Sequence, residues 1–244
     1  MARPPTPAQP HGALREVLPG VHLVRGTMAF GPARFSRNMT VVQRGGDLVL
    51  VNSVRLDEAG LAALDALGRV TDVVRLAGAH GADDPFYKER YGATVWDMAG
   101  QRYFEGSNFK TGATYFRSDH AVEGPELACL PEGRLHHFDT APQESLLLLP
   151  HAGGTLVAGD SLQNWGDPAR HFNLVARIGF TLAGFVGPYR LGKGWVKLLK
   201  PAPEAVRAVL DLRFENLLPA HGDPVIGGAK EKYRPAIEAY ARGP

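Results

Sequence analysis

Three short polar loops, each following an apolar run, constrain this chain more than any other feature of it. They are Ala79-His80-Gly81-Ala82-Asp83-Asp84, Gly159-Asp160-Ser161 and Pro219-Ala220-His221-Gly222-Asp223. The runs before them, residues 71–76, 155–158 and 217–218, read as buried strands. A side chain just past a strand end is carried by a loop over the edge of its sheet. Donors distant in sequence then converge if their strands belong to the same sheets. A metal ion needs such convergence, because it takes several imidazole and carboxylate donors at once.

The rest of the chain supplies a framework for these loops. Val21-His22-Leu23-Val24-Arg25 alternates like a strand. Runs 39–42 and 48–51, separated by Arg44-Gly45-Gly46-Asp47, predict a hairpin, since Gly and Asp supply the turn geometry. Residues 57–67 space Leu61, Leu64 and Leu67 on one helical face, and Gly68 closes the helix. Asp84-Pro85 starts a helix carrying Phe86 to Tyr91, and 92–96 is strand-like again. Residues 135–138, 145–149 and 155–158 are three further strands, the last two joined by His151-Ala152-Gly153-Gly154. Residues 203–214 predict one amphipathic helix with Val206, Val209, Leu210 and Phe214 inward, and 229–242 a closing helix. Strands with helices at the ends of each half suit two packed sheets covered by helices. No linker divides the chain, so a single domain is expected over 18–244, after a flexible Pro-rich leader over 1–17.

Composition excludes several function classes. Hydrophobic residues are 44% and charged residues 21% of 244, as in a soluble globular chain. A formal charge of +2 gives no case for nucleic acid. Arg190 to Lys200 is a local basic stretch that reads as a solvated helix face or an anion-binding rim. The single cysteine, Cys129, rules out an internal disulfide and a Cys-type zinc site. Residues 1–11 lack the apolar core of a signal peptide, and no run is long enough to span a bilayer. A cytoplasmic location and no integral membrane segment are therefore expected.

The ordered set of loops resembles the metal loops of the metallo-β-lactamase superfamily. Its pattern is an H-x-H-x-D-H loop, a lone middle His, an Asp in a Gly-Asp step and a late His before Gly. On this chain His80 falls on the first His, Asp84 on the Asp, Asp160 on the bridging Asp and His221 on the last His. Asn38, and Asn52 where the family usually has Asp, resemble its opening strands. The resemblance runs from about Leu18 to Tyr240 and implies an α/β four-layer αββα sandwich of the metallo-β-lactamase type. Three family ligands are replaced, by Ala82, Pro85 and Thr140, so the expected site is degenerate, in a divergent branch. His80, Asp84, Asp160 and His221 remain as metal candidates, with Asp84 and Asp160 as the catalytic candidates. By family position, Asp84, Asp160 and His221 form the minimum for one divalent ion: zinc, iron or manganese.

Asp83, Glu144, His136, His137 and Asp139 stand near enough in sequence to compensate for the missing ligands. A metal-free cleft is the competing reading. Asp84 then caps the helix at Pro85, His80 and His221 hydrogen-bond Asp160, and Asp160 orders its turn through the Ser161 amide. A Gly-x-Ser-x-Gly elbow, a P-loop and a His-Glu-x-x-His helix are all absent. The stretch His171 to Trp195 reads as a lid or substrate wall, with Phe172, Phe180, Phe185, Tyr189 and Trp195 beside the cleft. Plain core, a homodimer contact and a membrane-surface contact also suit it. The resemblance thus implies a metal-dependent hydrolase of an ester, lactone, thioester or phosphoester with at most one metal. The alternative is a non-catalytic descendant that binds a small ligand or partner in the old cleft. A metal-dependent oxidoreductase is a third reading.

Overall fold

The computed structural model describes residues 7–104 and 113–243. Of the leader expected over 1–17, residues 1–6 lie outside the described residues. Strand β1 (Arg15–Leu18) forms within the same span and pairs antiparallel with β2 (Val21–Phe30). Strands β3 (Ala33–Arg44) and β4 (Asp47–Val51) complete the hairpin predicted around Gly45-Gly46. Helix α1 (Glu58–Leu67) starts at Asp57, whose side chain accepts from the Gly60 N–H. Then follow β5 (Arg69–Arg75), α2 (Asp84–Tyr91) and β6 (Thr94–Met98). Short strands β7 (Tyr103–Phe104) and β8 (Thr114–Phe116) pair with each other, and β9 (His120–Val122) closes the first half. The first sheet has seven strands in the order β1-β2-β3-β4-β5-β6-β9.

The second half builds a four-stranded sheet, β10-β11-β12-β15. Its members are β10 (Arg134–His137), β11 (Ser145–Leu149), β12 (Thr155–Ala158) and, later in the chain, β15 (Asn216–Pro219). Between them lie β13 (Leu162–Trp165), α3 (Leu174–Leu182), β14 (Gly187–Leu191), α4 (Lys193–Leu199) and α5 (Pro203–Arg207). Helix α6 (Ala229–Ala241) closes the chain. The single helix expected over 203–214 is shorter than its apolar pattern. After α5 the backbone tightens into a 3₁₀ turn over Ala208–Asp211 and leaves helical geometry at Leu212. A 3₁₀ turn at a helix end is ordinary. Val206, Val209, Leu210 and Phe214 are nevertheless all buried, as their spacing requires.

The period-2 alternation of the strands sorts their side chains into layers. Val49 and Val51 of β4 meet Leu147, Leu149, Val157 and Leu218 between the two sheets. Leu48 and Leu50, on the opposite face of β4, pack under Leu61 and Leu64 of α1 and Tyr87 of α2. Leu146, Leu156 and Leu217 face outward on the second sheet beneath Trp195, Val206, Tyr233 and Ile237. Full burial of each such side chain contributes about 1.5–3 kcal/mol. Helix, sheet, sheet and helix therefore stack in four layers. No helix among the described residues is long and apolar enough to cross a membrane.

Candidate metal centre

Strands β12 and β15 run parallel and adjacent, so the loops after them emerge side by side. One carries Asp160 and the other His221. The His80 loop leaves the facing sheet after β5, and close backbone approach brings it in. A Cβ on Gly159 would stand 2.5 Å from the Ala77 Cβ, so only glycine lets the two sheets meet there. Asn52 ties the same corner, donating to the Ala158 carbonyl at 3.2 Å and accepting from the Leu76 N–H at 3.1 Å. Asn38 holds the third loop, donating to the carbonyls of Pro219 (2.8 Å) and Gly222 (2.7 Å).

Donor atoms of His80, Asp160 and His221 all lie within 4.8 Å of one another. Nε2 of His80 is 3.2 Å and Nε2 of His221 is 3.1 Å from the same Asp160 oxygen, Oδ1. Nδ1 of His221 is 3.0 Å from the Ser36 carbonyl, and the Trp165 ring stacks on the imidazole at 5.3 Å. Burial lowers the pKa of His80, against the pull of Asp160, and so favours the neutral ring. Burial alone would raise that of Asp160. The charges and hydrogen bonds of the two histidines outweigh it and hold the carboxylate well below its usual range.

A second hydrogen-bonded line braces His221. His171 Nδ1 is 2.9 Å from the Ser36 Oγ, and its Nε2 is 3.1 Å from Asp223 Oδ2, on the His221 loop itself. Arg25 and, at 3.6 Å, Arg170 also pair with Asp223. Ser, His and Asp here share residue types with a nucleophilic triad. The main chain of Ser36, however, is held on both sides: its N–H donates to the His171 carbonyl, and its carbonyl faces His221. The line locks the orientation of the His221 ring.

The structure does not bring Asp84 into this group. Asp84 is fully buried, and its two oxygens accept from the hydroxyls of Ser53 (2.5 Å) and Tyr103 (2.6 Å). Burial raises its pKa, with Arg75 opposing. Asp83 is taken up in a buried pair with Arg37 and accepts from the Arg55 N–H at 2.8 Å. His136 faces the Ala205 carbonyl, and His137 lies between Ser145 and Gly124, so both are used elsewhere. Glu144 comes closer to the expectation. It lines the same cavity, and burial, reinforced by the charge of Asp160, pushes its carboxyl well above the usual range. Glu144, not Asp160, takes the Ser161 N–H, at 2.6 Å.

The three donors open into a cavity of about 380 Å³. Its walls include Phe35, Trp165, Phe180, Phe185, Trp195 and Leu199. Phe180, Phe185 and Trp195 come from the stretch read as a substrate wall. Trp165 was not visible as a site residue, because nothing in Gln163-Asn164-Trp165 ties that strand to the three metal loops. Gly192 is a second contributor without a sequence signal. A Cβ there would fall 1.9 Å from the Asp160 carbonyl oxygen, so its glycine seats the Asp160 loop.

No family model matches the chain, and no curated protein does so by sequence. Solved structures do match, along nearly the whole length. TMB-1 superposes with a TM-score of 0.62 at 14% identity, covering 96% of this chain and 99% of its own. DIM-1 metallo-β-lactamase gives 0.62 at 12%, covering 94% and 99%. The mono-zinc form of the metallo-β-lactamase FIM-1 from Pseudomonas aeruginosa gives 0.62 at 13%, covering 96% and 98%. The chain has the metallo-β-lactamase fold. At these identities the likeness speaks for the fold alone.

Proposed function

We propose that this protein is a metal-dependent hydrolase in which His80, Asp160 and His221 hold a single divalent ion. The carrying observation is the crowding of His221 between two acceptors. A neutral imidazole has one N–H. Nδ1 faces the Ser36 carbonyl and Nε2 faces the Asp160 carboxylate, so one ring stands between two acceptors. Something positive belongs between them, and a ligating histidine commonly has this arrangement, its other nitrogen bonded to a carbonyl. His80 meets the same oxygen from the other side, at 3.2 Å. Two imidazoles and one carboxylate, with the remaining position toward the cavity, suit catalytic zinc. The mono-zinc form of FIM-1 is a precedent within the fold. The same donor set also serves non-haem iron, so the element identified decides between hydrolase and oxidoreductase.

A divalent ion there would supply Lewis acidity and a water activated near neutral pH. The residues of the chain do the rest. Apolar walls exclude bulk water and favour a neutral ester, lactone or thioester over a charged phosphoester. Asp160 orients both rings, and the Ser36–His171–Asp223 line holds His221 in register. Glu144 lines the same cavity, and burial pushes its carboxyl upward, which makes it the candidate proton donor there. Asp84 acts through the loop by anchoring it to Ser53 and Tyr103, outside the ion's reach.

Elemental analysis of protein purified without chelator tests the reading. About one equivalent of zinc is expected in the wild type, and its loss in the Asp160→Ala, His221→Ala double variant. Less than about a tenth of an equivalent in both proteins would leave the cleft as a ligand-binding relic.

A further inference from the structure

From Pro168 to Pro203 the chain carries six Lys and Arg and not one Asp or Glu, although the whole protein is only +2. Arg170, Arg177, Arg190, Lys193, Lys197 and Lys200 are all exposed. This stretch forms α3, β14 and α4, and lines the cavity through Phe180 of α3, Phe185 just after it, and Trp195 and Leu198 of α4. Lys193 joins the two helices, donating to the Ala183 carbonyl at 2.6 Å.

Helix α3 is amphipathic with part of its apolar surface turned outward. Ala176 faces the core, while Leu174 (62%), Val175 (51%), Ile178 (53%) and Leu182 (84%) are exposed. Leu198 of α4 is 65% exposed, and Phe30, at the tip of the β2–β3 hairpin, 72%. That tip is fastened to the start of α3, because Asn173 donates to the Pro32 carbonyl at 2.9 Å. The hairpin is also free of carboxylates from Val17 to Gly46.

We propose that this face docks on an anionic phospholipid bilayer, with the cavity mouth against the lipid. Large apolar side chains protruding from a short helix, ringed by Lys and Arg, are the pattern of an interfacial helix. The side chains enter the acyl boundary while the cations reach lipid phosphates. Charge selects this occupant over a second copy of the chain. A two-fold contact would set the all-positive face against itself. A bilayer would also hold apolar acyl substrates beside the mouth of the cavity. The docking itself stands on the surface alone and does not rest on the metal reading.

Flotation with phosphatidylcholine vesicles, with and without an equal share of phosphatidylglycerol, tests the proposal. Binding to the anionic vesicles is expected to exceed that to phosphatidylcholine at least about fivefold and to fall as salt rises. An Ile178→Asp, Leu182→Asp variant and an Arg177→Glu, Lys197→Glu variant should each lose at least about fivefold in binding. Unchanged circular dichroism would certify that both fold. Asp160→Ala should bind like the wild type, which separates this outcome from that of the hydrolase reading. Equal recovery with both vesicle types, or full binding by the Ile178→Asp, Leu182→Asp variant, would overturn the proposal. So would a dimer in sedimentation velocity that the same variant disperses, with no vesicle binding by the wild type.

Discussion

At the scale of single residues, the difference between Asp160 and Asp84 decides what the cleft can hold. Both are carboxylates in segments that follow a strand, Asp84 at the first residue of α2 and Asp160 two residues past β12, and the sequence resemblance treats them alike. Asp160 remains 23% exposed at its side chain and meets two imidazoles. Asp84 is sealed in and satisfied by Ser53 and Tyr103, partners 31 and 19 residues away. That is why His80, Asp160 and His221 were legible from their loops and the commitment of Asp84 was not. Two contrasting outcomes follow. Asp84→Asn should keep the wild-type metal content, whereas Asp160→Asn should lose nearly all of it, by elemental analysis. The second outcome concerns pH. Burial raises the pKa of Asp84 in the folded chain above 3.8, so the native state binds this proton more tightly than the unfolded state. Stability from this residue is then greatest below about pH 4 and declines as pH rises through the folded value. Asn does not titrate, so the melting temperature of Asp84→Asn relative to wild type should rise between pH 4 and pH 8. A flat difference would mean that Asp84 is an ordinary carboxylate.

Elements show where spacing reads truly and where it stops. Strand alternation separates Leu48 and Leu50 from Val49 and Val51, and the two pairs do lie in different layers. Apolar spacing across 203–214 placed the right residues inward, but it could not show the change from α to 3₁₀ geometry, because both bury the same side chains. The sequence allowed an outward apolar face on α3 but did not select it over plain core, since composition reports how apolar a helix is and not which side lacks a neighbour. Loop glycines are the element-scale feature with the sharpest consequence. Gly222 lies between His221 and Asp223 with φ +97°, and a Cβ there would stand 1.8 Å from the Asn164 carbonyl oxygen. An alanine must therefore displace the β13 backbone as well as adopt a left-handed conformation. Gly222→Ala should cost about 2 kcal/mol or more. The melting temperature should fall by at least about 4 °C, with lost metal, and a shift of less than about 1 °C would show that the loop yields easily.

At the scale of the whole molecule, the candidate centre is a joint between the two halves. His80 extends from the seven-stranded sheet, and Asp160 and His221 from the four-stranded one. The halves already share the apolar layer around Val49, Val51, Leu147 and Val157, so the fold does not depend on an ion to assemble. An ion held by all three side chains would add a cross-link that exists only in the native state. Ligands of that kind stabilise by mass action, about 2.7 kcal/mol at a hundredfold excess over the dissociation constant. For a chain of this size that corresponds to a rise of about 5–10 °C in melting temperature. Chelation of the wild type should remove the gain and return of zinc should restore it. Asp160→Ala should melt at one temperature with or without the metal. The joint also predicts where the gain is spent. Amide exchange should slow on chelator removal at the Leu76–Gly78 and Ala158–Ser161 corners, which face each other across Gly159 and Ala77, and stay unchanged in α1. A metal that raised the melting temperature while leaving those corners unaffected would be binding elsewhere on the molecule.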